Sequence, residues 1–278
     1  MFSLKTYWRA TRPKPGLAEG ATIARLETIS TPAPVDRKLY EGLRKAWEHE
    51  DYGVVLPVFP ACATFMTHLK HLADPSFPFQ AMGTVHTKTI IEQQRALRLD
   101  DVVTYRCWVE GHRDVDRGVE FDMMTQAIVS DEVTSTTTMT MFRRGARRLS
   151  DGLRQPELVH NHLHAKEASW SVDGATARRY ARLTGDINPI HMSSLTAKAL
   201  GFKAMMLHGM WTFGRACAMH PVQMMADHIR ITSAFKLPIY LPNSLRYRWW
   251  EEDSKLEMRV LDKTGVKVHM IASLGVLT

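Results

Sequence analysis

No apolar run in this chain approaches the roughly 18 residues that a membrane-spanning helix needs. The first nine residues hold no uninterrupted apolar stretch, so a secretory leader is not expected. Cysteine is scarce. Cys62, Cys107 and Cys217 stand far apart and form no CxxC pair. That spacing argues against a disulfide framework and the common zinc modules, and it fits a reducing, cytoplasmic setting. Charge of one sign is in excess, at +7, yet no basic stretch is interleaved with aromatic residues. A nucleic-acid partner is therefore not expected. An anionic small ligand, an acidic protein partner or a merely soluble surface would each suit the excess, and charge does not decide among them.

What is present fits a globular protein. With 278 residues, 45% of them hydrophobic, the chain can build one large or two modest domains. The middle lacks apolar periodicity. A basic cluster, Arg143-Arg-Gly-Ala-Arg-Arg148, leads into Ser150-Asp-Gly152 and Pro156. Residues 146–165 therefore read as a linker between halves 1–145 and 166–278.

The two halves carry the same order of patterns. In the first, a strand (26–31) and a helix (36–48) precede an apolar helix (60–72). Alternating strands follow at 84–91, 102–111, 119–130 and 133–142. In the second, a strand (168–172) and a helix (175–183) precede an apolar helix running from His208-Gly209 towards His220. Strands follow at 231–240, 244–251, 255–261 and 266–277. An apolar helix followed by consecutive antiparallel strands is an α+β pattern.

The most specific stretch is Tyr180-Ala-Arg-Leu-Thr-Gly-Asp-Ile-Asn-Pro-Ile-His191. A helix breaks at Thr184-Gly185, where glycine permits a turn that a β-carbon would resist. Pro189 fixes its own φ and pushes Asn188 towards an extended conformation. The stiff bend presents Asp186 and His191 together, and an acid and a base held at one point suit proton transfer. Read alone, Asp186 is an N-cap or Asx-turn residue and His191 a hydrogen-bonded structural histidine.

With its neighbours, the stretch resembles the signature of the R-specific enoyl-CoA hydratases of the MaoC-like dehydratase family. Every fixed position of Gly-Asp-x-Asn-Pro-x-His is present. The similarity continues through Ala199-Leu-Gly-Phe202, Leu207-His-Gly-Met210 and Phe235-Lys-Leu-Pro238. The resemblance implies a hot-dog fold. Two halves in tandem imply a double hot dog: two antiparallel sheets, each wrapped around a long central helix. It makes Asp186 and His191 the catalytic pair and gives Asn188 a part in orienting substrate or the pair. It also places an oxyanion hole at Gly209, where an unpaired N–H at the positive end of a helix suits developing negative charge. His208 is expected to brace the bend.

The implied reaction is reversible syn hydration of a trans-2-enoyl thioester in fatty-acid metabolism. It needs neither metal nor redox cofactor, and coenzyme A enters as part of the substrate. An acyl-carrier-protein dehydratase, a hot-dog thioesterase and a non-catalytic acyl-thioester binder are the competing readings. The intact Asp186, Asn188 and His191 set argues against a pure binder. The chain departs from the family at Lys203-Ala-Met-Met206, where relatives commonly carry Pro-Ile, so substrate selectivity does not transfer. The first half has no such signature. Its Trp47-Glu-His-Glu-Asp-Tyr-Gly53 carries His49 and Asp51 in the wrong order, so one site per chain is expected, as a monomeric pseudo-dimer or a homodimer. The first half is expected to accommodate the acyl chain along the helix holding Cys62, Phe65, Met66 and Leu69. His160-Asn-His-Leu-His164 reads as solvated surface, and the methionines of 205–225 as core.

Overall fold

The computed structural model describes residues 4–18, 20–116, 118–145, 162 and 164–277. Most of the expected linker, and His160 of the histidine cluster, lie outside them. The first half holds α1 (Leu4–Thr11), β1 (Leu26–Ile29), β2 (Ala33–Pro34), α2 (Arg37–Ala46), α3 (Phe59–Ala63) and α4 (Phe65–Ala73). It continues with β3 (Thr84–Gln93), β4 (Val102–Val115), β5 (Gly118–Val129) and β6 (Glu132–Arg144). The second half holds β7 (Lys166–Val172), α5 (Gly174–Thr184), α6 (Ser194–Ala199), α7 (Gly209–Ala218) and α8 (Pro221–Met224). It ends with β8 (Ile229–Phe235), β9 (Asn243–Glu252), β10 (Lys255–Asp262) and β11 (Val268–Val276).

Alternation builds the strands. In β8, Ile229, Ile231 and Ser233 are buried between more exposed neighbours, so one face packs inward. The described strands form a single antiparallel sheet in the order β1-β4-β5-β6-β3-β8-β11-β10-β9-β7, with β2 on β4. The two expected sheets are thus continuous, joined where β3 pairs with β8 from Lys88↔Ala234 to Gln93↔Ile229. Each of those strands would otherwise leave a row of unpaired backbone groups.

Helix α7 is buried nearly all round, with Trp211, Phe213, Ala216 and Cys217 inside the core. The apolar helix expected over 60–72 is two helices, broken at Thr64. Thr64 Oγ1 donates to the Pro60 carbonyl at 2.8 Å and lies 3.1 Å from Thr125 Oγ1. A threonine hydroxyl turned back onto its own helix competes with the regular ladder and bends it. Strand β8 stops at Phe235 rather than 240. Lys236-Leu-Pro238 turns away, and Tyr240 forms a separate bridge to Met206. Helix α1 lies outside the elements read from periodicity.

One core crosses the seam. Tyr40, Trp47 and Phe59 from the first half pack in the same cluster as Trp170, Phe213 and Tyr247 from the second. Trp47 sits so close to α7 that a β-carbon at Gly214 would lie 2.2 Å from its ring. Arg215 donates to the Trp47 carbonyl and pairs with Glu48, both at 2.6 Å. A smaller aromatic cluster, Phe77, Phe79 and Phe121, closes the far end of the first half around Ala61. His162 stacks on Trp250 at 5.2 Å and is half-buried, whereas His164 is exposed.

Candidate active site

The bend is built from local rules. Asp173 caps α5 through a capping box with Thr176. The helix ends at Gly185 in the left-handed conformation, φ 83°, with its N–H on the Ala181 carbonyl. A β-carbon there would also meet Met66 Sδ of α4 at 2.9 Å, so the first half presses directly on the bend. Ile187 N–H reaches back to the Gly185 carbonyl at 2.9 Å, which places Asp186 at the apex of a three-residue turn. Pro189–His191 forms one 3₁₀ turn capped by Asn188, whose Oδ1 faces Ile190 N–H at 3.4 Å.

Asp186, Asn188, His191 and Gly209 are all partly exposed, so each is within reach of a ligand. Among the described residues, one ligand-capable atom from each of Asp186, His191 and His208 lies within 4.8 Å of the other two. Such a trio could hold a metal ion. The hydrogen bonds favour acid–base work instead. A carbonyl oxygen has no hydrogen to give, so the ring nitrogen facing it must carry the proton. His191 Nδ1 therefore donates to the Met206 carbonyl at 2.8 Å, leaving Nε2 as the acceptor of the neutral ring. His208 Nε2 likewise donates to the Asp186 carbonyl at 3.0 Å and has no lone pair for a cation.

His208 is 2% exposed and stacks on His191 with centroids 3.7 Å apart. Burial, and then the neighbouring His191, hold its pKa well below the usual imidazole value. It is a neutral brace between the bend and α7. Burial pushes the Asp186 carboxyl up, opposed by the adjacent His191 imidazole and by the Asn188 N–H. About a quarter of that side chain still meets solvent, so water can reach it. Cys62 lies behind the bend with Sγ 3.2 Å from Tyr180 Oη, and burial pushes its thiol up to about 12. It stays protonated and is no nucleophile.

Gly209 opens α7 with His208 as its N-cap, and no side chain caps this end. Its N–H, at the first helical position, has no partner within the helix. A β-carbon at Gly209 would lie 3.1 Å from the Phe235 ring, so close packing also favours glycine here. The bend thus joins Asp186, Asn188 and His191, and His208 links it to the start of α7. Met205 and Met206 are buried, and the Met206 backbone pins both His191 Nδ1 and the Ile190 carbonyl. In the first half, Asp51 is tied up by the Tyr40 hydroxyl at 3.0 Å and by Gly53 N–H at 2.9 Å. Motif reading missed two contacts on the bend, that of Tyr7 and that of Met66, which it placed only along the acyl chain. The Tyr7 hydroxyl donates to the Gly185 carbonyl and accepts from Ile187 N–H at 2.8 Å. Neither residue carries a local motif, and both lie over a hundred positions from the bend.

An antiparallel sheet around buried helices, with Asp186, Asn188 and His191 gathered on one bend that His208 ties to the start of α7, defines a hot-dog protein. The MaoC-like domain model matches residues 159–272. The chain is 31% identical over 223 residues to 3-hydroxyacyl-thioester dehydratase X of Mycobacterium tuberculosis, covering 80% of this chain and 79% of that protein. The chain belongs to the MaoC-like dehydratase family. The crystal structure of HtdX from Mycobacterium tuberculosis superposes with a TM-score of 0.77 at 25% identity, over 91% of this chain and 100% of that one. Peroxisomal multifunctional enzyme type 2 of mouse is 34% identical over 205 residues, 70% of this chain but 27% of that protein.

Proposed function

We propose that the chain catalyses the reversible syn hydration of trans-2-enoyl-CoA to (R)-3-hydroxyacyl-CoA in fatty-acid metabolism. The observation that carries this is the Asp186–His191 pair on one rigid bend, with His191 Nε2 left as an acceptor. The pair and Asn188 hold a water molecule. Its oxygen bonds to the β-carbon and its second hydrogen ends on the α-carbon, so the double bond is lost with no change of redox state. The Gly209 N–H stabilises the negative charge that develops on the thioester oxygen. Bond formation from a single water accounts for addition to one face.

The experiment is a panel of short to long enoyl-CoA thioesters, followed by loss of enoyl absorbance and chiral analysis of the product. The expected result is an (R)-3-hydroxyacyl thioester with no free thiol. Release of thiol would make the chain a thioesterase, and an unchanged substrate would make it a binder. Matched acyl-carrier-protein thioesters decide the carrier.

The same reading divides the chain into a degenerate half (1–145), a linker (146–165) and a catalytic half (166–278). The positions of β1–β6 and β7–β11 on opposite sides of the β3–β8 seam support that division. A reducing, cytoplasmic setting fits three cysteines that are all buried and free. No described helix is long and apolar enough to cross a membrane. The acyl chain is taken to run along α3 and α4, since Met66 and Cys62 already stand against the bend. Ala61 is hemmed in by the aromatic cluster, whereas Ala63 is only partly buried. Ala63→Trp is therefore expected to lower turnover of long enoyl chains about 10-fold or more, while short chains change little, the selectivity that a few methylenes in a pocket can carry. Equal effects at every length would remove this route.

A further inference from the structure

Tyr7 reaches the bend from α1, about 180 positions away in the chain. Its hydroxyl touches the Gly185 carbonyl and the Ile187 N–H, the peptide groups on either side of Asp186. It therefore closes both ends of the turn whose apex is the carboxylate. The Asp186 carbonyl itself is held by His208 Nε2–H. Three consecutive residues of the bend are thus fixed by two side chains that lie outside it in sequence.

The helix that delivers Tyr7 is itself anchored. Ala10 is fully buried, and its carbonyl accepts from Ala81 N–H at 2.7 Å. Just beyond, Lys14 Nζ donates to the Leu72 and Asp74 carbonyls at 2.9 and 2.6 Å, at the end of α4. The same α4 places Met66 against Gly185. The opposite face of α1 carries Trp8, which is 58% exposed and lies under Arg12. Burial and the nearby Asp186 charge push the Tyr7 phenol far above its usual pKa, so its proton stays available for the Gly185 carbonyl.

We propose that Tyr7 is a positioning residue for the hydration reaction, holding the Asp186 turn so that the carboxylate faces His191 and the bound water. This rests on the hydratase reading above. Tyr7→Phe keeps the ring and removes the bridge. Misplacing a catalytic group by a fraction of an ångström is expected to lower kcat about 10- to 100-fold, with KM changed less than about 2-fold. The Ile187 amide should exchange with solvent about 3- to 10-fold faster, the factor one neutral hydrogen bond carries. Ala81 N–H, which reports whether α1 stays docked, should keep its wild-type exchange rate. Trp8→Ala on the exposed face should match wild type in kcat.

Wild-type kcat in Tyr7→Phe, or unchanged exchange at Ile187, overturns the proposal. Faster exchange at both Ile187 and Ala81 also overturns it, since Tyr7 would then serve only to dock α1. Lack of hydration by the wild-type protein is a failure of the hydratase reading instead. In that case the exchange of Ile187 still decides whether Tyr7 holds the turn.

Discussion

Asp186→Asn is expected to lose hydration by roughly 10²–10⁴-fold, the contribution of a positioned general acid or base, and at neutral pH to melt at a higher temperature than wild type. The two effects have one cause. Burial raises the Asp186 carboxyl above its ordinary value, so the folded chain binds its proton more tightly than the unfolded chain does. Between the unfolded and folded pKa values the folded state holds the extra proton. Stability therefore falls as pH rises through that window and stays lower above it. Asparagine has nearly the same shape and no charge to desolvate, so it is free of this penalty. The gain in melting temperature should disappear below about pH 4, where the carboxyl is protonated in both states. Calorimetry at pH 7 and under acid conditions, run beside the hydration assay, checks both halves. A variant that turns over normally, or that melts lower at pH 7, contradicts the assignment. His191→Ala should lose activity to a similar degree, because it removes the acceptor nitrogen that Met206 orients.

Gly209→Pro should cost about 10²–10³-fold in kcat beyond Gly209→Ala, the usual effect of removing one oxyanion donor. The comparison is clean because the backbone accepts proline here. The position is the first of a helix, where proline is well tolerated. His208, which precedes it, is already extended at φ −69° and ψ 133°, as a residue before proline must be. Both variants add carbon against the Phe235 ring, 3.1 Å from the ideal β-carbon, and share that crowding. Only proline removes the N–H. Matching kcat values in the two variants would show that glycine is required here by Phe235 and not by the reaction.

The site was legible in the sequence to the extent that it is local. Gly185, Asp186, Asn188, Pro189 and His191 lie within seven positions, and their turn chemistry needs no tertiary information. The α+β order was legible from alternation in strands such as β8 and β11 and from the apolar length of α7. What escaped depends on distance or on competition between groups. The join of β3 to β8 adds backbone pairing that leaves side-chain alternation unchanged, so periodicity is blind to it. The break at Thr64 arises from a hydroxyl that bonds backwards, whereas the apolar pattern runs through it. Helix α1 is short and fully buries only Ala10 among its described side chains, too little for a periodic signal. Tyr7 and Met66 reach the bend only once the two halves are docked.

The seam between β3 and β8 lies within one polypeptide, and this changes the symmetry under which the fold varies. In a homodimer of single hot dogs, every substitution appears twice about a two-fold axis, and the interface is the same patch on both partners. Here each side of the seam is encoded separately. The first half could turn its own Asp51 into a fastening for Tyr40 and Gly53, while the second half kept the bend intact. Tethering also makes the pairing of the halves intramolecular, so it does not weaken on dilution as an association of two chains would.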